Sequence, residues 1–239
     1  DHPDLVLCYD APKLTDLFGL SFAGMVNVFK GISQWRRQRS GMLTTNFAEA
    51  GAFLRTRAGL SRPDVQLHFL TGLVDDHARR LHYGYGVSCH VAVLRPKSRG
   101  QVGLRSADPL EAPRIDPNFL ADSDDLSRLM KGARQVFRIF ETPAMRAVAG
   151  DYLYQGPDAS DAALIEDIKL RGDTIYHPVG TCRMGTDARA VLDRYLMHPA
   201  ADLEQAVDLA AEVTPANGVV LLSPAAPSFG AFRDFEQRG

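Results

Sequence analysis

Residues 65–74 read VQLHFLTGLV, and their alternation decides the fold. Val65, Leu67 and Phe69 take every second position, with Gln66, His68 and Leu70 between them. A strand sends successive side chains to opposite faces, so the pattern predicts a buried strand with His68 on the face away from Leu67. Downstream, YGVSCHVAVLRP at 85–96 predicts a second strand, and GQVGLRS at 100–106 follows it across Ser98 and Gly100, residues suited to a hairpin-like return. Antiparallel sheet is the expectation for this part of the chain.

Moving outward, Asp4 to Tyr9 predicts a short strand, and NFAEAGAFLRT at 46–56 an extended or turning piece. Between them, 14–38 carries Leu17, Phe22, Met25, Val26, Phe29, Ile32 and Trp35 at helical spacing, weakened by Gly24 and Gly31 at ~1 kcal/mol each. Arg36, Arg37 and Arg39 then read as a solvated helix end. SDDLSRLMKGARQVFRIF at 123–140 is the firmest helix: Ser123 is its cap candidate, Asp124 and Asp125 suit the positive end, and Pro143 follows its end. Leu126, Leu129, Met130, Ala133, Val136, Phe137 and Phe140 give it one apolar face. A capped helix from Ser160 to about Lys169, stopped by Gly172, leads into TIYHPVGTCRMG at 174–185. Beyond Asp193 the texture changes to an Ala-rich helix in DLEQAVDLAAEV, a strand from Gly218 to Leu222 and a helix in SFGAFRDFEQ. The fold expected is α+β, an antiparallel sheet packed by helices over 1–193, followed by a short α/β fragment over 194–239.

The 239 residues are enough for one large core or two modest ones without disulfides or a structural metal. Lys plus Arg (27) nearly balances Asp plus Glu (29), so no global basic field exists for nucleic acid. Three cysteines cannot all pair internally and favour a reducing compartment. The opening DHPDLVLCYD lacks an initiator Met and a signal-peptide pattern, and no apolar run reaches membrane-spanning length; a soluble piece that starts inside a longer reading frame is expected.

His177 is the strongest chemical candidate. Pro178 fixes the backbone beside it, Gly180 and Gly185 permit close approach of a ligand, and an imidazole accepts a proton near neutral pH. Removing the proton of an alcohol while an acceptor takes hydride from the same carbon suits such a residue. Cys182 is a weaker nucleophile candidate, with no orienting acid evident. His77, His82, His90 and His198 match no compact zinc spacing, and neither HExxH nor CxxC occurs. In YGYGVSC the third glycine of a dinucleotide fingerprint is Cys89, and GxxxxGK[ST] and GxSxG are absent.

TIYHPVGTCRMG resembles the C-terminal signature of the glucose-methanol-choline oxidoreductases, in particular their choline dehydrogenase-like branch. DHPDLVL resembles the end of that family's NLQDHP segment, 95–120 its substrate-domain strand region, and DDLSRLMKGAR the helix that follows. The resemblance covers about 1–193. It implies FAD, oxidation of a primary alcohol with hydride passing to the flavin, and His177 as the catalytic histidine of HPVGT. It also implies that Glu49, in FAEAGAF, sits by a quaternary ammonium such as that of choline, that His68 is a second active-site histidine, and that Ile175 lines the substrate pocket. Each has a plainer alternative: Glu49 a surface carboxylate or cap, His68 a satisfied sheet residue, Ile175 strand-end packing. The location implied is cytoplasmic, with any membrane contact peripheral to the inner membrane.

Two departures stand beside this. The strand-GxGxxG-helix unit that would hold FAD is missing from the chain, so the flavin would come from a separate flavin-domain polypeptide, or the piece would self-associate. After Asp193 the family's partner to the catalytic histidine is also missing; 204–239 instead resembles the last domain of the muramoyl-alanine glutamate ligases, with Ser228 and Phe235 at that family's D-glutamate positions and Gly230 in place of its Asp. The leading expectation is an incomplete flavin-dependent alcohol dehydrogenase. Its rivals are a non-catalytic structural or assembly fragment and a remnant of the ligase.

Overall fold

The computed structural model describes residues 1–181, 183, 185–187, 190 and 203–213. The chain divides into two compact units, Asp1–Thr181 and Cys182–Gly239. In the first, the elements run β1 (Pro3–Asp10), β2 (Gly19–Leu20), α1 (Phe22–Gln38), β3 (Ala50–Leu54), β4 (Val65–Leu70), β5 (Gly84–Val93), β6 (Gln101–Gly103), β7 (Arg114–Asp116), α2 (Ser123–Phe140), α3 (Pro143–Arg146), α4 (Asp161–Arg171) and β8 (Asp173–Thr174). The second contains α5 (Leu203–Val213), the Ala-rich helix expected there. The expected strand at Gly218–Leu222, the helix after it, and the Cys182, Ser228 and Phe235 candidates lie outside the described residues.

The main sheet has the order β3-β4-β5-β1-β8, with β2 added on β5, and its pairings are antiparallel. Alternation gives it two unlike faces. Leu5, Leu7 and Tyr9 of β1, Leu67 of β4, and Val87, Cys89, Val91 and Val93 of β5 point to one side, where α2 and α4 cover them. From α2, Leu129, Ala133, Val136, Phe137 and Phe140 complete this core, with Leu164 and Ile168 from α4. Phe140 stacks on Tyr9 with ring centroids 3.6 Å apart. Burying each such large side chain is worth about 1.5–3 kcal/mol, which outweighs any single propensity along the chain. Gly132 lets α2 come close: a Cβ there would lie 2.6 Å from Cγ1 of Val91.

Two local expectations are corrected. The run 100–106 does not return onto the preceding strand; β6 pairs instead with β7, Val102 opposite Ile115. β5 is already paired on both sides, by β4 and β1; Arg95 adopts φ 54°, in the left-handed region, just beyond its end, and the backbone N–H groups of Lys97 and Ser98 are then captured by the carboxylate of Asp125, which steers the chain away from the end of the strand. The cap of α2 is Asp122, whose side chain accepts from the N–H of Asp124, and not Ser123, which is the first helical residue.

Asp125 is fully buried and takes hydrogen bonds from Lys97 N (2.9 Å), Ser98 N (2.8 Å), Ser98 Oγ (2.6 Å) and Arg128 Nη2 (2.5 Å). Burial opposes its charge, but the bonds from Ser98 and Lys97 and the Arg128 guanidinium outweigh that and hold its carboxyl below the ordinary carboxylate range. Asp125→Ala leaves buried Arg128 with only the Asp124 carboxylate, 3.2 Å from its Nε, strips the Lys97 and Ser98 amides of their acceptor, and should cost about 3–5 kcal/mol in denaturant unfolding. A depressed carboxyl contributes its stability above the unfolded value of about 3.9 and loses it as the pH falls through the folded one. The substituted chain should therefore show a shallower fall in stability on acidification below about pH 4. Gly132→Ala should also lower stability, by about 1–3 kcal/mol from overpacking against Val91 less ~1 kcal/mol of helix propensity, read as a drop in thermal midpoint.

Candidate active site

The face of the sheet away from α2 collects the histidines. His68 on β4 stands directly opposite His90 on β5, and their neighbours Leu67 and Val91 are in the core, so both imidazoles project to the other side. Asp4 on β1 shares that face because Leu5 and Leu7 take the core side. Its Oδ2 lies 2.5 Å from Nδ1 of His90. A carboxylate only accepts at neutral pH, so His90 donates through Nδ1 and its Nε2 is left free to accept. His2 donates through Nδ1 to the carbonyl of Val93 at 2.8 Å, for the same reason.

The HPVGT segment crosses the edge of this face and is held by the start of the chain. Thr174 donates from Oγ1 to Asp1 Oδ2, Tyr176 N–H donates to Thr174 Oγ1 at 2.9 Å, and His177 N–H donates to Asp1 Oδ1 at 3.2 Å. Ile175 N–H reaches the carbonyl of His2 at 3.4 Å. Tyr176, at φ 64°, takes the left-handed conformation that turns the chain outward, and His177 is exposed. Its ring centroid lies 5.5 Å from that of His2 and 6.4 Å from that of His68, edge to face in both pairs.

Of the four described residues that the sequence singles out for the alcohol site, His177, His68, Ile175 and Glu49, three gather here. His177 and His68 are ring neighbours, and half-buried Ile175 is tied to His2 beside them. Glu49 is exposed, immediately before β3, and makes no hydrogen bond or ion pair with described residues. Its link to the histidines is through register: Gly51, two residues on, pairs with His68 and has no side chain to cover it. Asp4, His90 and His2 were not singled out for chemistry. The alternation of Asp4 with Leu5 and Leu7 was the available signal, but only strand pairing reveals that Asp4 and His90 meet.

Two of these imidazoles, His68 and His2, resist protonation. Burial pulls the His68 imidazole below the usual histidine range; Asp4 opposes this, while His90 and His177 add to it. His2 is lowered by burial first, opposed by its bond to Val93 and reinforced by His177. Nε2 of His68 is buried with no hydrogen-bond partner, and so is Oδ1 of Asp4. Beside Asp4 and His90 a cleft of about 110 Å³ opens, lined also by Asp75, His77, Arg80 and Arg171. The free thiols of Cys8 and Cys89 are buried and pushed up to about 11 and about 12 by desolvation, which makes them poor nucleophiles. Among the described residues no group of His, Cys, Asp or Glu is arranged to hold a metal ion, and no helix is long and apolar enough to cross a membrane.

Whether these residues suit a flavin divides by the halves of the cofactor. No described strand of the main sheet passes through a glycine-rich turn into a helix, so the described residues offer no cradle for the pyrophosphate of FAD. What they offer is a polar wall with an orphaned buried nitrogen at its centre, suited to the reacting end of a cofactor and its substrate.

The C-terminal model of the GMC oxidoreductase family matches residues 96–216. An alcohol dehydrogenase [acceptor] of Pseudomonas putida is 40% identical over 194 residues, which are 81% of this chain and 35% of that protein. An oxygen-dependent choline dehydrogenase of Photobacterium profundum is 32% identical over 181 residues, 75% of this chain and 31% of its own length. Among solved structures, a formate oxidase superposes with a TM-score of 0.67 at 22% identity, covering 77% of this chain and 37% of that one. A pyridoxine 4-oxidase from Mesorbium loti gives 0.62 at 21% identity, covering 82% and 34%. At such identities the structures speak for the fold, and the sequence relatives are spanned over 35% and 31% of their length. The antiparallel sheet, the helices on one of its faces and the matched segment agree: the chain belongs to the GMC oxidoreductase family and carries the C-terminal part of it.

Proposed function

We propose that the histidine wall is the substrate side of a flavin-dependent alcohol dehydrogenase, with His177 as the base that takes the hydroxyl proton of a primary alcohol. The observation that carries this reading is the pairing of an exposed His177 with a half-buried His68 whose Nε2 is buried and lacks a partner, at 6.4 Å between centroids. Ring nitrogens lie about 1 Å from their centroids, so two imidazoles at this spacing are within reach of one shared oxygen atom. A hydroxyl set between them would satisfy the orphaned nitrogen of His68 and present its proton to His177.

His68, kept neutral by burial, donates a hydrogen bond to the substrate oxygen without adding a fixed charge. His177 accepts the hydroxyl proton as the carbon loses hydride, leaving an aldehyde. FAD, when bound, supplies the hydride acceptor. Ile175 presents an aliphatic wall to the carbon chain of the substrate. Glu49, exposed and unpartnered among described residues, is available to a cationic head group, so choline falls within the substrate class. The reading sets the reaction in the cytoplasm, peripheral to the inner membrane.

The deciding experiment mixes the chain with a family flavin domain expressed separately and follows alcohol-dependent bleaching of the flavin absorbance. His177→Asn should slow the bleaching about 10²–10⁴-fold, the range for loss of a general base. Retention of the rate within a factor of about ten would overturn the assignment. The charge balance of the wall is checked in the chain alone by NMR titration of the histidines. Asp4→Asn removes the charge that supports protonated His68 and should move the His68 midpoint further down, whereas His177→Gln removes a repelling neighbour and should move it up.

A further inference from the structure

The turn between β4 and β5 is held in a costly conformation. Asp76, His77 and Ala78 follow one another at φ 44°, 55° and 63°, the left-handed region that only glycine enters freely. Among the described residues no other pair of adjacent non-glycine residues lies there. Such strain persists where the surroundings over-determine it, and it gathers at sites that must keep one shape. Here the turn is fastened at its base. Asp75, 2% exposed, accepts from Tyr154 Oη at 2.5 Å and lies 2.7 Å from Nε2 of His82, and Asp75 and Arg80 close the turn as an antiparallel bridge.

What the strained run holds out is His77. Its Nε2 lies 3.0 Å from Oδ2 of Asp173 in β8, and its ring meets that of Tyr176 edge to face, with centroids 4.6 Å apart. Only 15% of the His77 side chain is exposed, although the three residues after it are open to solvent. Arg79 donates from Nη2 to the same Asp173 oxygen at 3.4 Å and to Asp76 Oδ1 at 2.6 Å, which ties the turn to β8 a second time. Tyr176 is itself at φ 64°, immediately before His177. Two strained points of the backbone thus lock onto each other at the residue that sets the direction of His177. From the other side the segment is held by Asp1 and His2.

We propose that His77 is a positioning residue for His177: through Asp173 and Tyr176 it holds the HPVGT segment where the His177 ring stands 6.4 Å from that of His68. The inference rests on the reading of His177 as the base, and adds to it a residue that acts through another. Without His77, Tyr176 is free to leave the left-handed region for the extended one that its side chain prefers, and His177, next along the chain, turns with it.

The test is amide hydrogen exchange of the whole chain, native and as His77→Gly and His77→Gln, with the nuclear Overhauser contact between the His68 and His177 rings recorded alongside. Glycine takes positive φ without strain, so the relief in His77→Gly offsets the contacts it removes, and the thermal midpoint should stay within about 4 °C of native. The Tyr176 and His177 amides should then exchange at least about tenfold faster and the ring contact fade, with the β5 amides unchanged. His77→Gln keeps a side-chain N–H for Asp173 and should stay within about threefold of native exchange. Unaltered exchange in His77→Gly would overturn the proposal, as would equal acceleration in the two variants, or an acceleration shared by β5 with a lowered midpoint. In the bleaching assay His77→Gly should slow the reaction about tenfold, and no further once His177→Asn is present; additive slowing would overturn the action through His177. Exchange is read without flavin or alcohol, so a failure of His177 as the base leaves that result standing and is told apart from a failure of His77 as its support.

Discussion

The close seating of α2 on β5 is the constraint from which the rest of the first unit follows. With Gly132 against Val91, the helix brings Leu129, Ala133, Val136, Phe137 and Phe140 down onto the odd-numbered side chains of β1 and β5. Once that face is committed to the core, a period of two leaves no choice about where the remaining residues go. Asp4, His68, Ser88 and His90 must share the other face. A one-residue slip of any of these strands would place a histidine or a carboxylate in the core, at a cost that hydrophobic packing there could not offset.

The polar face is therefore a by-product of apolar packing, but its internal arrangement is not. Asp4 fixes the tautomer of His90, the carbonyl of Val93 fixes that of His2, and Asp1 ties down the backbone of His177. These bonds order a loop that has few apolar contacts of its own and turns outward at Tyr176. The orphaned Nε2 of His68 marks where the network stops short of satisfying itself, and an unsatisfied buried donor in the middle of an otherwise bonded cluster is a place for a ligand atom or a water. The same chain shows the opposite arrangement at Asp125, whose carboxylate is ringed by donors and whose role is structural.

Much of this architecture was legible. The alternation in 65–70 placed His68 on the correct face, and the caps and apolar periodicity of α2 and α4 located both helices to within a residue or two. Local signals failed where a distant partner intervened. Ser98 and Gly100 are good turn residues, yet the chain leaves the sheet because Asp125 binds the amides of Lys97 and Ser98 from another element. Ser123 is a good cap, yet Asp122 takes the role because a carboxylate one residue earlier reaches the N–H of Asp124. In α1 the apolar spacing holds from Phe22 on, Leu17 lying before the helix, and the glycines looked like defects; the structure gives them the contact face, because only a residue without Cβ admits the backbone of Gly19 at that distance.

The sequence alone determined β1, β4, β5, α2 and α4, the family signature around His177 and the face on which His68 lies, since each depends on neighbours within a few residues and on the periods of 2 and 3.6. Tertiary structure decided which of those residues meet: that Asp4 joins His90, that His68 stands beside His177, that Glu49 stays apart, and that the apolar side of α1 faces outward. Side-chain encounters between residues far apart in the chain depend on register and on which surfaces remain uncovered, and neither is written in any local run of residues.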